Sequence, residues 1–180
     1  MAVEVTAPAE LAATDLTELA DVAALTFPLA CPPTAGVDDI ASFIDANLSA
    51  ARFREYLSDP GRRVLTARMD GLIVGYAMLI DGVPDDPDVQ RAVSARPTVE
   101  LSKIYVLPDS HGGEVSSALM RVALDYAVDR GVASVWLGVN QENERAQRFY
   151  RKHGFTVSGT KTFQLGARTE HDYVMVRPID

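Results

Sequence analysis

Val106-Leu107-Pro108-Asp109-Ser110-His111-Gly112-Gly113-Glu114-Val115-Ser116-Ser117-Ala118-Leu119-Met120 reads as a strand end, a turn of small residues and a helix start. The first amides of a helix have no partner within it, and the helix dipole favours an anion at that end. Gly112-Gly113 carries no Cβ to hold a ligand off the backbone. Such a turn suits a phosphate or pyrophosphate, and serves equally well as a plain tight connection. Working outward, Val99 to Val106 reads as a largely buried strand. From Glu114 to Arg130, Val115, Leu119, Val122, Ala123 and Tyr126 recur at helical spacing, and Gly131 fits the position just past a helix end. Ser134 to Val139 is a strand, Asn143 stands where an N-cap belongs, and its helix runs to about His153 before Gly154 ends it. Phe155 to Val157, Lys161 to Leu165 and Asp172 to Val176 read as three closing strands.

Toward the N-terminus, Val3 to Val5 is a short strand candidate. Asp15 with Glu18 resembles a capping box, followed by Leu16, Leu19, Ala20, Ala23 and Phe27 at helical spacing. Pro28 to Gly36, with Pro32 and Pro33, is expected to break that helix. A second helix starts at about Asp38 and a third short one covers Ser49 to Leu57, stopped by Asp59-Pro60-Gly61. The period then changes to two. Val64 to Met69, Asp70-Gly71 and Leu72 to Ile80 predict a hairpin, because Asp-Gly supplies the positive φ of a type I′ turn. Asp81 to Pro97 reads as a polar connection with room for one helical turn. Helices, a hairpin, then strand–helix–strand–helix–strand make an α/β protein with mixed strand directions.

The 180 residues fit one domain, and a 47% hydrophobic composition excludes a disordered chain. Cys31 is the only cysteine, so neither an intramolecular disulfide nor a cysteine-based metal site is expected. Met1 to Leu16 holds no Lys or Arg, which does not suit a signal peptide, and no apolar run approaches the roughly 20 residues a membrane span needs. These features predict a soluble, cytoplasmic protein with no membrane partner. Of the net charge of −8, all sits before Val99: 15 Asp/Glu against 7 Lys/Arg up to Thr98, then 10 against 10. An acidic surface repels phosphate backbones, so no nucleic-acid partner is expected. It suits a cationic small molecule or a basic peptide, and equally a solvated face.

A second segment, Asn143-Glu144-Arg145-Ala146-Gln147-Arg148-Phe149-Tyr150-Arg151-Lys152-His153-Gly154-Phe155, lies about 30 residues after the first. Its helix puts Ala146, Phe149 and Tyr150 on one side. Phe149 is most simply core, and Tyr150 near a helix end reads either as core or as a hydroxyl offered to a cleft. Arg145, Arg148, Arg151 and Lys152 complement the helix C-terminus, and could also meet a ligand phosphate.

In this order and spacing the two segments resemble motifs A and B of the GNAT superfamily of N-acetyltransferases. Motif B is matched at Asn143, Ala146, Phe149, Tyr150, Gly154 and Phe155. In motif A, His111 stands where Arg or Gln is usual, Glu114 replaces the central Gly and Ser116 the last Gly/Ala. Backbone amides survive any side chain, but a carboxylate at Glu114 must point to solvent to avoid repelling a diphosphate. More narrowly, Leu101 to Leu107, Trp136 to Val139 and Phe163-Gln164-Leu165-Gly166 resemble the PaiA-type polyamine acetyltransferase branch. The fold so implied is a GNAT-like single domain with a mixed, mostly antiparallel sheet of about six to seven strands flanked by helices. Residues 1–98 would form the acceptor side and 99–180 the acetyl-CoA-binding part.

The resemblance also implies a chemistry: transfer of an acetyl group from acetyl-CoA, with no metal, to a primary amine by direct attack in a ternary complex. The acceptor is then a polyamine or another small cationic amine, and a homodimer is left open. An alkylammonium has a pKa of about 10, so a base must free the attacking amine. Glu100 is the candidate base, with Asp81 second, while Glu100 reads equally as an ordinary strand-face carboxylate. A main-chain amide near Ile104 would hold the oxyanion, and Tyr150 would give the leaving thiolate its proton. The pantetheine arm would pair with the edge opened between Ile104-Tyr105-Val106 and Trp136 to Val139, like an added strand. Cofactor contacts are thus expected from Ile104, Tyr105, Val106, His111, Gly112, Gly113, Glu114, Val115, Ser116 and Ser117, and from Asn143, Ala146, Phe149 and Tyr150. His153 and His171 read as surface or helix-end residues, and Cys31 as unreactive. Protein N-terminal or lysine acetylation is the rival within the enzyme class. A non-catalytic acyl-CoA-binding regulatory protein, motivated by Glu114 and Ser116, is the rival outside it.

Overall fold

A computed structural model describes residues 2–110 and 113–180. Seven strands form a single sheet in the order β1-β2-β3-β4-β5-β7-β6, with β1 at Glu4–Thr6, β2 at Arg62–Met69, β3 at Leu72–Asp81, β4 at Thr98–Val106, β5 at Ser134–Asn140, β6 at Thr156–Leu165 and β7 at Arg168–Pro178. Among the described residues, only β4 and β5 run parallel, and every other neighbouring pair is antiparallel. The expected mixed, mostly antiparallel α/β sheet is therefore found. The β2–β3 turn is the predicted one, with Asp70 at φ 52° and Gly71 at φ 81°, the paired positive values of a type I′ hairpin.

Helices cover both faces. α5 (Gly113–Asp129) and α6 (Glu144–Lys152) lie on one face, where Val115, Leu119, Met120 and Ala123 pack onto Val99, Leu101, Val135, Leu137 and Met175. α1 (Ala13–Ala30), α2 (Val37–Asn47) and α3 (Ala50–Ser58) lie on the other, where Leu16, Leu19, Phe27 and Phe53 meet Val64, Tyr76 and Met78. α4 (Pro87–Ala92) covers the far end of that second face, burying Val89, Ala92 and Val93 against Trp136 and Val174.

Three local expectations are corrected. α1 is capped by no side chain: Asp15 and Glu18 sit inside it, ion-paired with Arg68, and Glu18 also accepts the Ile73 amide at 2.7 Å. The break expected within Pro28 to Gly36 is found: α1 ends at Ala30, its last turn held by burial of Phe27 and by the Thr26 Oγ1 bond to the Val22 carbonyl (2.7 Å). The connection from Asp81 to Pro97 supplies a small core of its own through α4. The closing region is two long strands, because β6 carries a register shift between Val157 and Gly159 that lets one strand span two apolar runs. Among the described residues, no helix is long and apolar enough to cross a membrane.

Candidate active site

Parallel pairing of β4 with β5 lasts only through Thr98↔Ser134, Val99↔Val135 and Glu100↔Trp136. Beyond that point β4 stays with β3 and β5 stays with β7, so the sheet opens between them. A bulge lies where they part. Leu79 opposes Leu101 and Met78 opposes Lys103, which leaves Ser102 as an extra residue that bends β4. The free edge of β4 presents backbone groups without a strand partner, an arrangement that calls for one. A cavity of about 480 Å³ occupies the opening and reaches helices on both faces.

On the α5–α6 face the cavity is bordered by Ile104 and Val106 of β4, Gly113 and Ser116 of α5, and Asn143, Arg145, Ala146, Phe149 and Tyr150 of α6. Asn143 caps α6, its side chain accepting the Ala146 amide at 3.2 Å. Phe149 packs against His153 with ring centroids 4.7 Å apart, and His153 closes the helix, its carbonyl accepting from Arg177. Burial raises the Tyr150 hydroxyl well above the usual phenol range, so it stays protonated. Three sequence candidates lie elsewhere: Val115 is buried in the core, and neither Glu114 nor Ser117 borders the cavity. Glu114 is exposed, the one placement that spares an anion at the helix start its charge. His111 and Gly112 fall outside the described residues.

On the α1–α2 face the lining is aromatic and charged. Phe27 stacks on Phe43 at 4.5 Å, and Phe43 meets Phe163 edge-on at 5.5 Å. Tyr105 leans on Tyr76 at 5.9 Å. Glu100 borders the cavity, and burial raises its carboxyl pKa, opposed by Lys103, Lys161 and Arg62. Lys103 borders it too, its amine pKa lowered by burial against the pull of Glu100. Lys161 Nζ pairs with Asp172 Oδ2 at 3.1 Å, and Arg168 Nε with Glu170 Oε1 at 3.4 Å. The Cys31 thiol is pushed up to about 11 by burial and by Glu170, and it donates to the Phe27 carbonyl, which leaves it a poor nucleophile. Asp81 is not here. It forms an ion pair with Arg130 beside a separate, smaller cavity, which removes it as a candidate base.

Lys103, Lys161, Glu170 and Asp172 were not singled out from the sequence. The alternating charges Glu170-x-Asp172 on a strand facing Lys161 on its neighbour are the signal, but it becomes visible only with the β6–β7 register. Among the described residues, no cluster of three His, Cys, Asp or Glu side chains gathers to hold a metal ion.

Residues 28–155 match the family model of the acetyltransferase (GNAT) family. An uncharacterized N-acetyltransferase of Mycobacterium tuberculosis is 60% identical over 166 residues, spanning 92% of this chain and 99% of the relative. The streptothricin acetyltransferase of Streptomyces lavendulae is 38% identical over 98 residues, covering 54% of this chain and 46% of that protein. In fold, the chain resembles the PaiA N-acetyltransferase from Thermoplasma acidophilum in complex with coenzyme A, with a TM-score of 0.76 and 20% identity over 99% of this chain and 100% of that one. The open parallel seam, the helix start beside it and these likenesses converge: the chain belongs to the GNAT family and is an acetyl-CoA-dependent N-acetyltransferase.

Proposed function

We propose that the acetyl group goes to the primary amine of a small cationic molecule bound on the α1–α2 face, by direct attack within a ternary complex. The observation that carries this reading is the through-sheet cavity, with a helix start on one side and Glu100 among charged and aromatic groups on the other. Bound acetyl-CoA supplies the acetyl thioester. Its fit to the α5–α6 side is supported by the unpaired β4 edge, by the outward Glu114 and by Gly113, where the space of a Cβ is open for 4 Å. Ile104 and Val106 would hold the arm through their backbone, and Gly113 and Ser116 the phosphates, with Ala146, Phe149 and Tyr150 closing the side.

Glu100 takes the proton from the acceptor's ammonium. Its raised pKa brings it closer to that of the ammonium, which makes the transfer less uphill. The Ile104 amide stabilises charge developing on the carbonyl oxygen. The Tyr150 hydroxyl, held neutral by burial, gives its proton to the leaving sulfur. On this reading the acceptor side draws on both parts of the chain, since Phe163, Glu170 and Asp172 join Phe27 and Phe43 there. The resemblance of Leu101 to Leu107 to the polyamine-acetylating branch makes spermidine the reference amine of the assay, against which amines that also carry a carboxylate are compared. Steady-state transfer with Glu100→Gln and Tyr150→Phe tests the roles. Each is expected to lower kcat by roughly 10²-fold or more while acetyl-CoA affinity is retained. Unchanged turnover in both variants would remove these residues from the mechanism.

A further inference from the structure

The bulge at Ser102 does more than bend β4. In a regular strand, residues three apart point to opposite faces. The extra residue reverses the alternation, so Glu100 and Lys103 reach the same face: Leu101 and Ile104 both pack with the α5 core, while Lys103 and Tyr105 follow Glu100 to the α1–α2 side. Glu100 and Lys103 are half-buried where they border the cavity, and charges withdrawn in part from water gain from a partner of opposite sign. Among the described residues, neither forms a hydrogen bond or ion pair, with the other or with anything else, although both border the cavity. The other charges on this side are committed. Lys161 holds Asp172, Arg168 holds Glu170, and Arg62 holds Asp59 while lying over the Tyr56 ring. What remains is one carboxylate and one ammonium, bordered by the hydrocarbon surfaces of Phe27, Phe43 and Phe163.

We infer that Lys103 is an anion subsite of the acceptor pocket, and that the acceptor carries a carboxylate as well as the amine that faces Glu100: an amino-acid-like zwitterion with an apolar or extended body. This rests on the proposed role of Glu100 in receiving the amine. A polyamine satisfies Glu100 but sets its remaining ammonium groups toward Lys103, where like charges repel. A molecule with one group of each sign fills both vacancies and desolvates neither without compensation.

Two pairs of compounds that differ by a carboxylate alone decide the matter: lysine against cadaverine, and ornithine against putrescine. Each is titrated calorimetrically into the full-length protein saturated with coenzyme A, and each is assayed for acetyl transfer from acetyl-CoA. The carboxylated member of at least one pair is expected to bind roughly tenfold to a hundredfold more tightly, the range of a charge-assisted hydrogen bond. Lys103→Met should erase that preference and Lys103→Arg should restore it, with acetyl-CoA affinity unchanged in both as the control for folding. Equal or tighter binding of the diamines overturns the inference, as does a carboxylate preference that survives Lys103→Met, or failure of all four compounds to bind. The base assignment fails separately: if Glu100→Gln leaves transfer undiminished, Glu100 is not the base, whatever the binding data say of Lys103.

Discussion

Glu100 and Gly138 show how single positions set the chemistry of this site. The raised pKa of Glu100 comes first from burial, with three cations opposing it. Catalysis through its ionised form therefore places the acid limb of kcat/KM above pH ~4.3, the ordinary glutamate value, and Glu100→Gln should remove that limb along with most of the rate. The same shift fixes the sign for stability. The folded state holds this proton more tightly than the unfolded chain, so the contribution of Glu100 to stability is lost as pH rises from the ordinary value through the raised one. Glu100→Gln should accordingly raise Tm at neutral pH and leave it unchanged at acid pH. Gly138 makes a steric demand. A Cβ there would collide with Lys161 Cε and lie 3.3 Å from Asp172 Oδ2. Gly138→Ala should displace the lysine, strand the buried Asp172 and cost about 1–3 kcal/mol. Thermal melts should show that cost shrinking when Lys161 and Asp172 are replaced together by Met and Asn.

At the scale of elements, the bulge of β4 sits where the cavity begins. Deleting Ser102 would restore an even β3–β4 register while keeping Leu101 and Ile104 on the core face and Glu100 and Lys103 on the other. Thermal stability should hold, whereas affinity for acetyl-CoA should fall by roughly tenfold or more, about 1.4 kcal/mol, because a straighter β4 keeps its edge against β5. Retained affinity in that deletion would show that the parting of the strands has another cause. The elements themselves were legible wherever their signals are local. Asp70-Gly71 names its turn, Asn143 caps its helix, and Gly131 and Gly154 sit at positive φ just past helix ends. Where tertiary contacts decide, the sequence misled. Asp15 and Glu18 look like a capping box, yet both lie inside α1, paired with Arg68, and Glu18 accepts the Ile73 amide. Lys103 was overlooked for the related reason that strand alternation assigns it to the face opposite Glu100, and only the pairing with β3 reveals the inserted residue.

For the whole molecule, the charge asymmetry of the sequence means less than it first suggests. The acidic excess before Val99 is spread over a surface where Asp15, Glu18, Asp59 and Asp81 already pair with Arg68, Arg62 and Arg130. Inside the cavity, carboxylates and cations are nearly matched, a balance that follows from folding β6 and β7 beside α1 and could not be read by counting along the chain. The family resemblance located the seam because motifs A and B are contiguous stretches. The charged lining escaped because it is assembled from β4, β6 and β7, which are distant in sequence.

The sheet also acts as a partition. Ser116 touches the cavity from one face and Phe163 from the other, so the two walls meet only through the opening between β4 and β5. Their free energies should be separable: a double-mutant cycle on Ser116→Ala and Phe163→Leu, scored on kcat/KM, should give a coupling within about 0.5 kcal/mol of zero. Additivity of that kind leaves the acceptor wall free to drift through evolution without disturbing the grip on the donor, so that one scaffold serves a succession of amines.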